Sequence, residues 1–324
     1  MRAVTMTIEP WEMKEPFVIT GYTFTQARVL YVQITEDGHT GAGEATGVYY
    51  LDETAETILE QAVSVKEKLE KGLTRDELRA CLPHGGARNA IDCDLWDLEA
   101  KQTGKSIWDL TGVTLKETIT VNTVGIGSLE KMRETALGLD TPKIKVKLSD
   151  EMPLERIKAV VDARPDADIM VDVNQGWTFE QLVDLAPKFK DVGVKMIEQP
   201  LPRGRDAELE GYEPPLPLCA DESCLHTGEL EQASRRYSVV NIKLDKTGGL
   251  TEALDLARQA TARGLGVMVG NMMGTSLAMA PSLVIAQFCD FVDLDGALFL
   301  KKDRPNAMTY AGGIVKGLTP KLWG

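Results

Sequence analysis

Residues 168–200 read DIMVDVNQGWTFEQLVDLAPKFKDVGVKMIEQP. A β-rich run, DIMVDV, gives way to a helical pattern, TFEQLVDLAPKFKDVG, and a second β-rich run, VKMIEQP, follows. A strand, a helix and a strand in this order predict two parallel strands joined by a crossover helix. The same rhythm runs outward in both directions from about residue 118. ITVNTV and KIKVKL precede the unit, and LCADES, VVNIKL, GVMVGN and DFVDLDG follow it. Patterns such as PLERIKAVVDARP and GLTEALDLARQATARG separate most of these runs. Eight strand candidates, most linked by helices, predict an α/β fold with a closed parallel, TIM-like barrel over residues 118–299. A doubly wound open sheet is the alternative. It normally shows a glycine fingerprint after its first strand, and TVGIGSLE matches that poorly.

Upstream the rhythm is different. Residues 1–50 read as strands, with EDGHTG (36–41) as a hairpin connection. Residues 52–112 read as helices. One ends on Gly72, and another, GGARNAIDCDLWDLEAKQTGK, carries Ile91, Leu95 and Leu98 on one stripe and ends at Gly104. A strand block followed by a helix block predicts a separate α+β domain over residues 1–117.

Composition narrows the function classes. The 324 residues are 43% hydrophobic and 26% charged, ordinary for a globular protein. A net charge of −13 disfavours nucleic acid or an anionic membrane as the main partner. Cys81, Cys93, Cys219, Cys224 and Cys289 form no CxxC pair and no zinc-ligand spacing, which points to free thiols in the cytoplasm. The N-terminal residues lack the apolar core of a signal peptide. Residues 264–289 carry no charge, but Gly266, Gly270, Asn271, Gly274 and Pro281 interrupt them. A buried strand, loop and helix is therefore expected rather than a membrane span.

In barrels of this kind the chemistry sits at the C-terminal strand ends. Asp172, Glu198 and Asp221 end three successive strand candidates, at intervals of 26 and 23 residues. A lone acid there is most often a helix cap or a solvated loop residue. Three converging carboxylates repel one another unless a cation joins them, and oxygen-only ligands suit Mg²⁺. Asn174, Gln199 and Glu222 are then candidates for orienting the ligands. Lys243 ends the next strand candidate, and Lys143, Lys145 and Lys147 share one face of KIKVKL. On a closed barrel these two strands face each other across the mouth. Lysines on opposite walls could move a proton on either face of one carbon beside a substrate carboxylate. Burial, a cation and a neighbouring ammonium would each lower a lysine pKa from its ordinary value of about 10.4. The plain alternative is that these lysines extend to solvent.

KVK, VDVNQGW, IEQPL, ADES, NIKLDKTGGL and DLDG, in this order, resemble the enolase superfamily, its muconate-lactonizing subgroup, and within it the dipeptide epimerases of the L-Ala-D/L-Glu type. The likeness spans nearly the whole chain, including ARNAIDCDLWDLEAK. It implies a modified (β/α)7β-barrel under an α+β capping domain, with residues 300–324 packing back onto that domain. It implies one Mg²⁺ per subunit on Asp172, Glu198 and Asp221, and Lys147 and Lys243 as acid/base catalysts with Lys145 beside Lys147. The pair Lys143 and Lys145 is the other possible register, and Lys246 is expected in the loop beyond Lys243. A homo-oligomer and a role in recycling peptidoglycan peptides are further implications.

The likeness also assigns a substrate. Asp293 and Asp295 would bind the α-ammonium of a dipeptide, a role that paired acids suit. The plain alternative for two such acids is a solvated strand end. N-acylamino acid racemases, cycloisomerases and syn-dehydratases of the same superfamily are the alternatives, and the first generally lack this pair. The side chain of the second residue is expected to meet a mobile loop, VITGYTFTQAR (18–28), with Tyr22 and Phe24. Asn271, Met272 and Met273 are expected to supply backbone contacts and apolar surface. Members acting on Ala-Glu are expected to carry an arginine in that loop. Here the only one is Arg28, in the strand that follows, which allows a neutral or apolar second residue.

Overall fold

The computed structural model describes residues 2–324. Three antiparallel strands, β1 (Ala3–Ile19), β2 (Tyr22–Glu36) and β3 (His39–Ala45), form the first sheet. The β2–β3 connection is the two-residue turn Asp37–Gly38, with both φ angles positive (50° and 80°). That is the turn whose twist matches paired strands, and Asp-Gly adopts it readily. Helices α1 (Ala55–Ser64), α2 (Lys66–Glu70), α3 (Arg75–Cys81), α4 (Gly86–Thr103) and α5 (Ile107–Thr111) follow.

The stripe of Ile91, Leu95 and Leu98 packs into the core of this first unit with Leu30, Val32 and Ile34. The rest of α4 is buried too, because its other side, with Cys93 and Trp96, faces the second core. Close approach explains the sheet contact: a Cβ on Gly43 would lie 1.9 Å from the Ala90 carbonyl oxygen. Three buried acids of α4 each bind a different neighbour. Asp94 accepts from the Ile34 N–H (3.0 Å), Asp97 from Ala42 (2.8 Å) and Gly324 (2.8 Å), and Asp92 from Thr251 (3.0 Å).

The second sheet has eight strands hydrogen-bonded in sequence order, every recorded pairing parallel. After the short β4 (Thr118–Ile119) come β5 (Asn122–Val124), α6 (Leu129–Leu137), β6 (Lys143–Lys147), α7 (Pro153–Ala163), β7 (Asp168–Asp172), α8 (Phe179–Asp191) and β8 (Val194–Glu198). The link to β9 (Leu218–Ala220) contains only a 3₁₀ turn in place of a helix. Then follow α9 (Leu230–Ser234), β10 (Val239–Ile242), α10 (Leu244–Thr247), α11 (Leu250–Ala262), β11 (Gly266–Val269), α12 (Ser276–Ala286) and β12 (Phe291–Val292). The Val121 N–H donates to the Val292 carbonyl (2.9 Å), which links the segment before β5 to the last strand. The uncharged stretch 264–289 is β11, a loop and α12, and among the described residues no helix is long and apolar enough to cross a membrane.

Period-two alternation separates two layers. Ile144, Val146, Ile169, Val171 and Ile197 pack toward the helices, whereas Met170, Met196, Cys219 and Met268 plug the interior. Directly above that plug lie the charged residues. The chain end returns across the first unit: β13 (Ile314–Val315) pairs with β4, Trp323 Nε1 donates to the Cys93 carbonyl (2.9 Å), and Arg304 pairs with Glu9 and Glu44.

Candidate active site

Register alone gathers the charged side chains. Lys147 lies beside Asp172, and Asp172 beside Glu198. Glu198 pairs with Cys219, two residues short of Asp221, and Lys243 follows the end of β10. The backbone bends as the strands end, with Asn174, Gln175 and Gln199 in the left-handed region (φ 45°, 67° and 34°). Such conformations cost on the order of 1 kcal/mol or more each and cluster at functional sites.

The lysines bind the acids directly. Lys147 Nζ donates to Asp172 Oδ2 (2.6 Å) and Asn174 Oδ1 (3.1 Å). Lys145 Nζ stands among three carboxylates, 2.8 Å from Asp293, 2.8 Å from Glu198 and 3.0 Å from Asp172. Lys243 Nζ donates to Asp221 Oδ2 (2.6 Å). Lys143 is at the opposite end of β6, in a cleft with Asp168 and Lys195.

Lys246, expected in an outer loop, is fully buried in α10. Its Nζ lies 2.7 Å from Asp221 Oδ1 and donates to the carbonyls of Asp221 (2.5 Å), Asn241 (2.8 Å) and Cys224 (3.0 Å). The short α10 turns the chain back beneath the strand end, which a sequence pattern of four residues does not reveal. Asn241, also absent from the sequence reading, donates to Glu198 Oε1 (2.6 Å). Its spacing of two from Lys243 was the available signal.

Gln199 Oε1 accepts from the N–H groups of Asp221 (2.9 Å) and Ser223 (3.0 Å), so it fixes the loop that carries Asp221. The Asn174 N–H donates to Asp172 Oδ1 (2.9 Å). Glu222 is buried with Oε2 unpartnered. The Asp295 carboxylate accepts from the Thr123 N–H (2.7 Å), and Asn271 Nδ2 donates to the Asp293 carbonyl (2.6 Å).

Burial and neighbouring charge act in opposition here. Burial would raise the Asp172 carboxyl, but Lys145, Lys147 and Lys243 hold it down to about 2. Asp221 is likewise held low by Lys243 and Lys246 against its burial. Burial, with Asp221 and Asp172 nearby, pushes Glu222 up to about 8, and burial with Asp293 raises Asp295 well above the carboxylate range. Burial would lower Lys145 and Lys243, but the surrounding carboxylates outweigh it and both are raised.

The site's donor set suits a hard divalent cation. Asp172, Glu198, Asp221, Glu222, Asp293 and Asp295 face only four buried lysines, an excess of two negative charges if all are ionised. Glu198 Oε2 and Asp221 Oδ1 are buried, each with a lysine ammonium nearby but no well-formed hydrogen bond. All these donors are oxygens. Among the described residues no three His, Cys, Asp or Glu side chains already close around one point, because the Lys145 ammonium stands between Asp172 and Glu198.

A cavity of about 280 Å³ adjoins the lysines, lined by Lys147, Lys243, Phe24, Asn271, Met272 and Met273 among others. The segment expected to be a mobile loop is the tip of the β1–β2 hairpin, paired as far as Ile19 and Tyr22. Thr20 Oγ1 ties it to the ends of β6 and β7 through the carbonyls of Leu148 (2.9 Å) and Val173 (3.2 Å). Tyr22 is exposed and stands outside the cavity wall, against the ring of Tyr49 (centroids 4.3 Å apart). Tyr49 itself lines the cavity, from a segment after β3 that carried no sequence signal. Arg28 lines it too, because β2 alternation places Arg28 on the same face as Phe24 and Gln26. Its guanidinium pairs with Glu56 (2.5 Å).

Residues 1–112 match the N-terminal domain of the mandelate racemase/muconate lactonizing enzyme family, and residues 128–302 match the enolase C-terminal domain-like family. An L-Ala-D/L-Glu epimerase of Escherichia coli is 44% identical over 317 residues, covering 97% of this chain and 99% of the relative. The chain belongs to the dipeptide epimerase family of the enolase superfamily. Members of this family are isomerases. The epimerase fold is shared with an enolase family member from Agrobacterium tumefaciens, solved with sodium and L-Ala-L-Glu (TM-score 0.97, 37% identity, 100% of both chains). It is shared also with a dipeptide epimerase from Cytophaga hutchinsonii, complexed with Mg and D-Ala-L-Val (TM-score 0.89, 26% identity, 97% of this chain and 92% of that one).

Proposed function

We propose that the protein inverts the α-carbon of the second residue of a dipeptide by 1,1-proton transfer between two lysines. The observation that carries this is the placement of Lys147 and Lys243 at one cavity from strands β6 and β10, four positions apart in an eight-stranded sheet. That spacing supports a modified (β/α)7β-barrel, with the α+β unit of residues 1–117 and the returning segment 300–324 as its cap. Asp172, Glu198 and Asp221 would hold one Mg²⁺ per subunit, which supplies positive charge to offset the negative charge that grows on the substrate carboxylate.

The chain's own groups do the rest. Asp293 and Asp295 receive the substrate α-ammonium. A neutral amine on one wall takes the α-proton, and the ammonium on the opposite wall returns a proton to the other face, so the carbon is inverted and no proton is lost. In either direction one lysine starts neutral and the other charged. Lys145, beside Lys147, offers a second ammonium to the carboxylate oxygens. The larger cavity takes the second side chain on a wall of Phe24, Tyr49, Met272 and Met273, with Arg28 also on the lining. This lining suits an apolar side chain and, through Arg28, an acidic one. We place the activity in the cytoplasm, on peptides of the kind released from peptidoglycan.

Incubation with L,L-dipeptide pools in D₂O, read by mass spectrometry, tests the reading. Mg²⁺-dependent deuterium uptake at one α-position is expected. No Mg²⁺-dependent uptake with any dipeptide refutes it.

A further inference from the structure

Helix α10 starts on the residue after Lys243 and is four residues long. The Lys243 carbonyl accepts from the N–H groups of Lys246 and Thr247 (both 3.0 Å). The path of this turn therefore fixes the peptide from which the Lys243 side chain leaves. A helix this short does not hold itself in water, so its contacts must hold it. Several of them come from α4 of the first unit. We propose that Arg88 of α4 is a positioning residue for Lys243: it clasps the end of the α10 turn and so governs proton transfer on one face of the substrate carbon and not on the other. This rests on the two-lysine epimerase reading of the site.

Arg88 is buried and committed to backbone. Nη2 donates to the Thr247 carbonyl (2.6 Å), Nε to that of Gly248 (3.1 Å) and Nη1 to that of Leu82 (3.3 Å). The last carbonyls of a helix lack partners within it, and the guanidinium supplies donors in a fixed fork. Neighbours on α4 extend the grip. Asn89 Nδ2 donates to Asp245 (3.1 Å), and Asp92 accepts from the N–H (3.0 Å) and the hydroxyl (2.6 Å) of Thr251. Residues 88 and 92 lie one turn apart on one side of the helix. Gly248 and Gly249 fit this seating, both with positive φ (73° and 112°). A Cβ on the first would run into the Arg88 guanidinium, and a Cβ on the second into the Asp92 carboxylate.

The two lysines are held differently. Lys147 lies within β6, paired with Asp172 of β7, and the next N–H, that of Leu148, donates to the Asp172 carbonyl (3.0 Å). The ladder fixes its peptide from both sides. Lys243 lies one residue past β10, whose pairing with β11 ends at Ile242. Beyond that point its support is α10. The Lys246 ammonium holds the middle of that turn through three carbonyls, and Arg88 holds its end. Asp221 keeps an anchor of its own, since its N–H donates to Gln199 Oε1 (2.9 Å). Loss of the clasp thus displaces Lys243 while Lys147 and the carboxylates stay in register. A displacement of about 1 Å at a reacting group is enough to cost up to about 100-fold in rate.

The test measures α-proton exchange in D₂O with Mg²⁺ present, separately for the L,L and L,D epimers of one dipeptide that wild type turns over. Lys243→Ala identifies the epimer that depends on Lys243. Arg88→Met keeps the stem and removes the donors. It is expected to slow exchange of that epimer about tenfold or more and to leave the other within about threefold of wild type. Arg88→Lys keeps a buried donor, is the gentler change for folding, and is expected to shift the ratio in the same direction by less. Arg79→Met is the control: it breaks pairs with Glu252 and Asp255 on α11, another contact between the two units, and is expected to leave the ratio unmoved. Equal loss for both epimers, a ratio unmoved in the folded Arg88 variants, or an equal shift in Arg79→Met overturns the positioning role. Exchange of neither epimer by wild type, or of both unchanged by Lys243→Ala, overturns instead the two-lysine reading beneath it.

Discussion

Asp245 links the N-terminal sheet and its helix α4 to the eight-stranded unit and makes folding stability depend on pH. Its Oδ1 accepts from the Thr46 N–H (3.0 Å), just after β3, and from Asn89 Nδ2 (3.1 Å) on α4, while Asp245 itself lies in α10, just after β10. Burial pushes its carboxyl up from 3.8 to about 7, against the pull of those two hydrogen bonds. A raised carboxyl means that the folded protein keeps this proton between about pH 4 and 7 while the unfolded chain has released it. The folded state then binds more protons, so this group's contribution to stability falls as pH rises through that window and is flat above it. Three pH units at about 1.4 kcal/mol each give a change of about 4 kcal/mol. Asp245→Asn keeps an acceptor oxygen of the same shape and removes the ionisation. Urea unfolding of both proteins from pH 4.5 to 8.5, followed by circular dichroism, isolates the effect, because all other titrations cancel in the difference. The variant is expected to gain several kcal/mol on wild type between pH 4.5 and 8. A difference constant within about 1 kcal/mol across that range would refute the assignment of this buried proton.

Arg304 neutralises buried Glu44 and stands over the ring of Tyr31 (4.3 Å), so Arg304→Met is expected to cost about 3–5 kcal/mol in denaturant unfolding, and a loss below about 1 kcal/mol would contradict that pairing. Lys246→Met removes the ammonium under Asp221 and leaves three carbonyls short of a donor. Calorimetric Mg²⁺ titration of that variant is expected to show affinity weakened about tenfold or more, whereas unchanged or tighter binding would mean Lys246 does not position Asp221. Thr20→Val deletes both hydrogen bonds from the hairpin tip to the strand ends, so KM for a dipeptide is expected to rise about fivefold with kcat little changed, and an unchanged KM would show that the tether does not shape the site.

The strands and the carboxylates could be read from sequence because both obey a short period. Alternation in KIKVKL and DIMVDV assigns each side chain to the helix layer or the interior, and the unit length of the βα repeat places Asp172, Glu198 and Asp221 on neighbouring strands. What escaped depends on contacts distant in sequence. Lys246 reaches Asp221 only because α10 turns back toward the end of β9, and Tyr49 reaches the cavity only because the segment after β3 packs beside Lys147 and Lys243. The α4 stripe is legible on one face alone, since its second buried face, with Cys93 and Trp96, is defined by the core of the eight-stranded unit rather than by its own pattern. Sequence places Arg28 in the strand after the specificity segment, yet β2 runs along the cavity and brings it onto the lining. At Lys145 and Lys243 the neighbouring carboxylates outweigh burial, a balance set by side chains on other strands.

The central claim is that Lys147 and Lys243 serve opposite faces of one carbon. Deuterium exchange at the α-position, measured separately for the two epimers of one dipeptide with Lys147→Ala and Lys243→Ala, tests it most directly. Each variant is expected to lose epimerisation and to retain exchange with at most one epimer, the two variants retaining opposite ones. Equal residual exchange of both epimers by either variant would contradict the two-lysine arrangement.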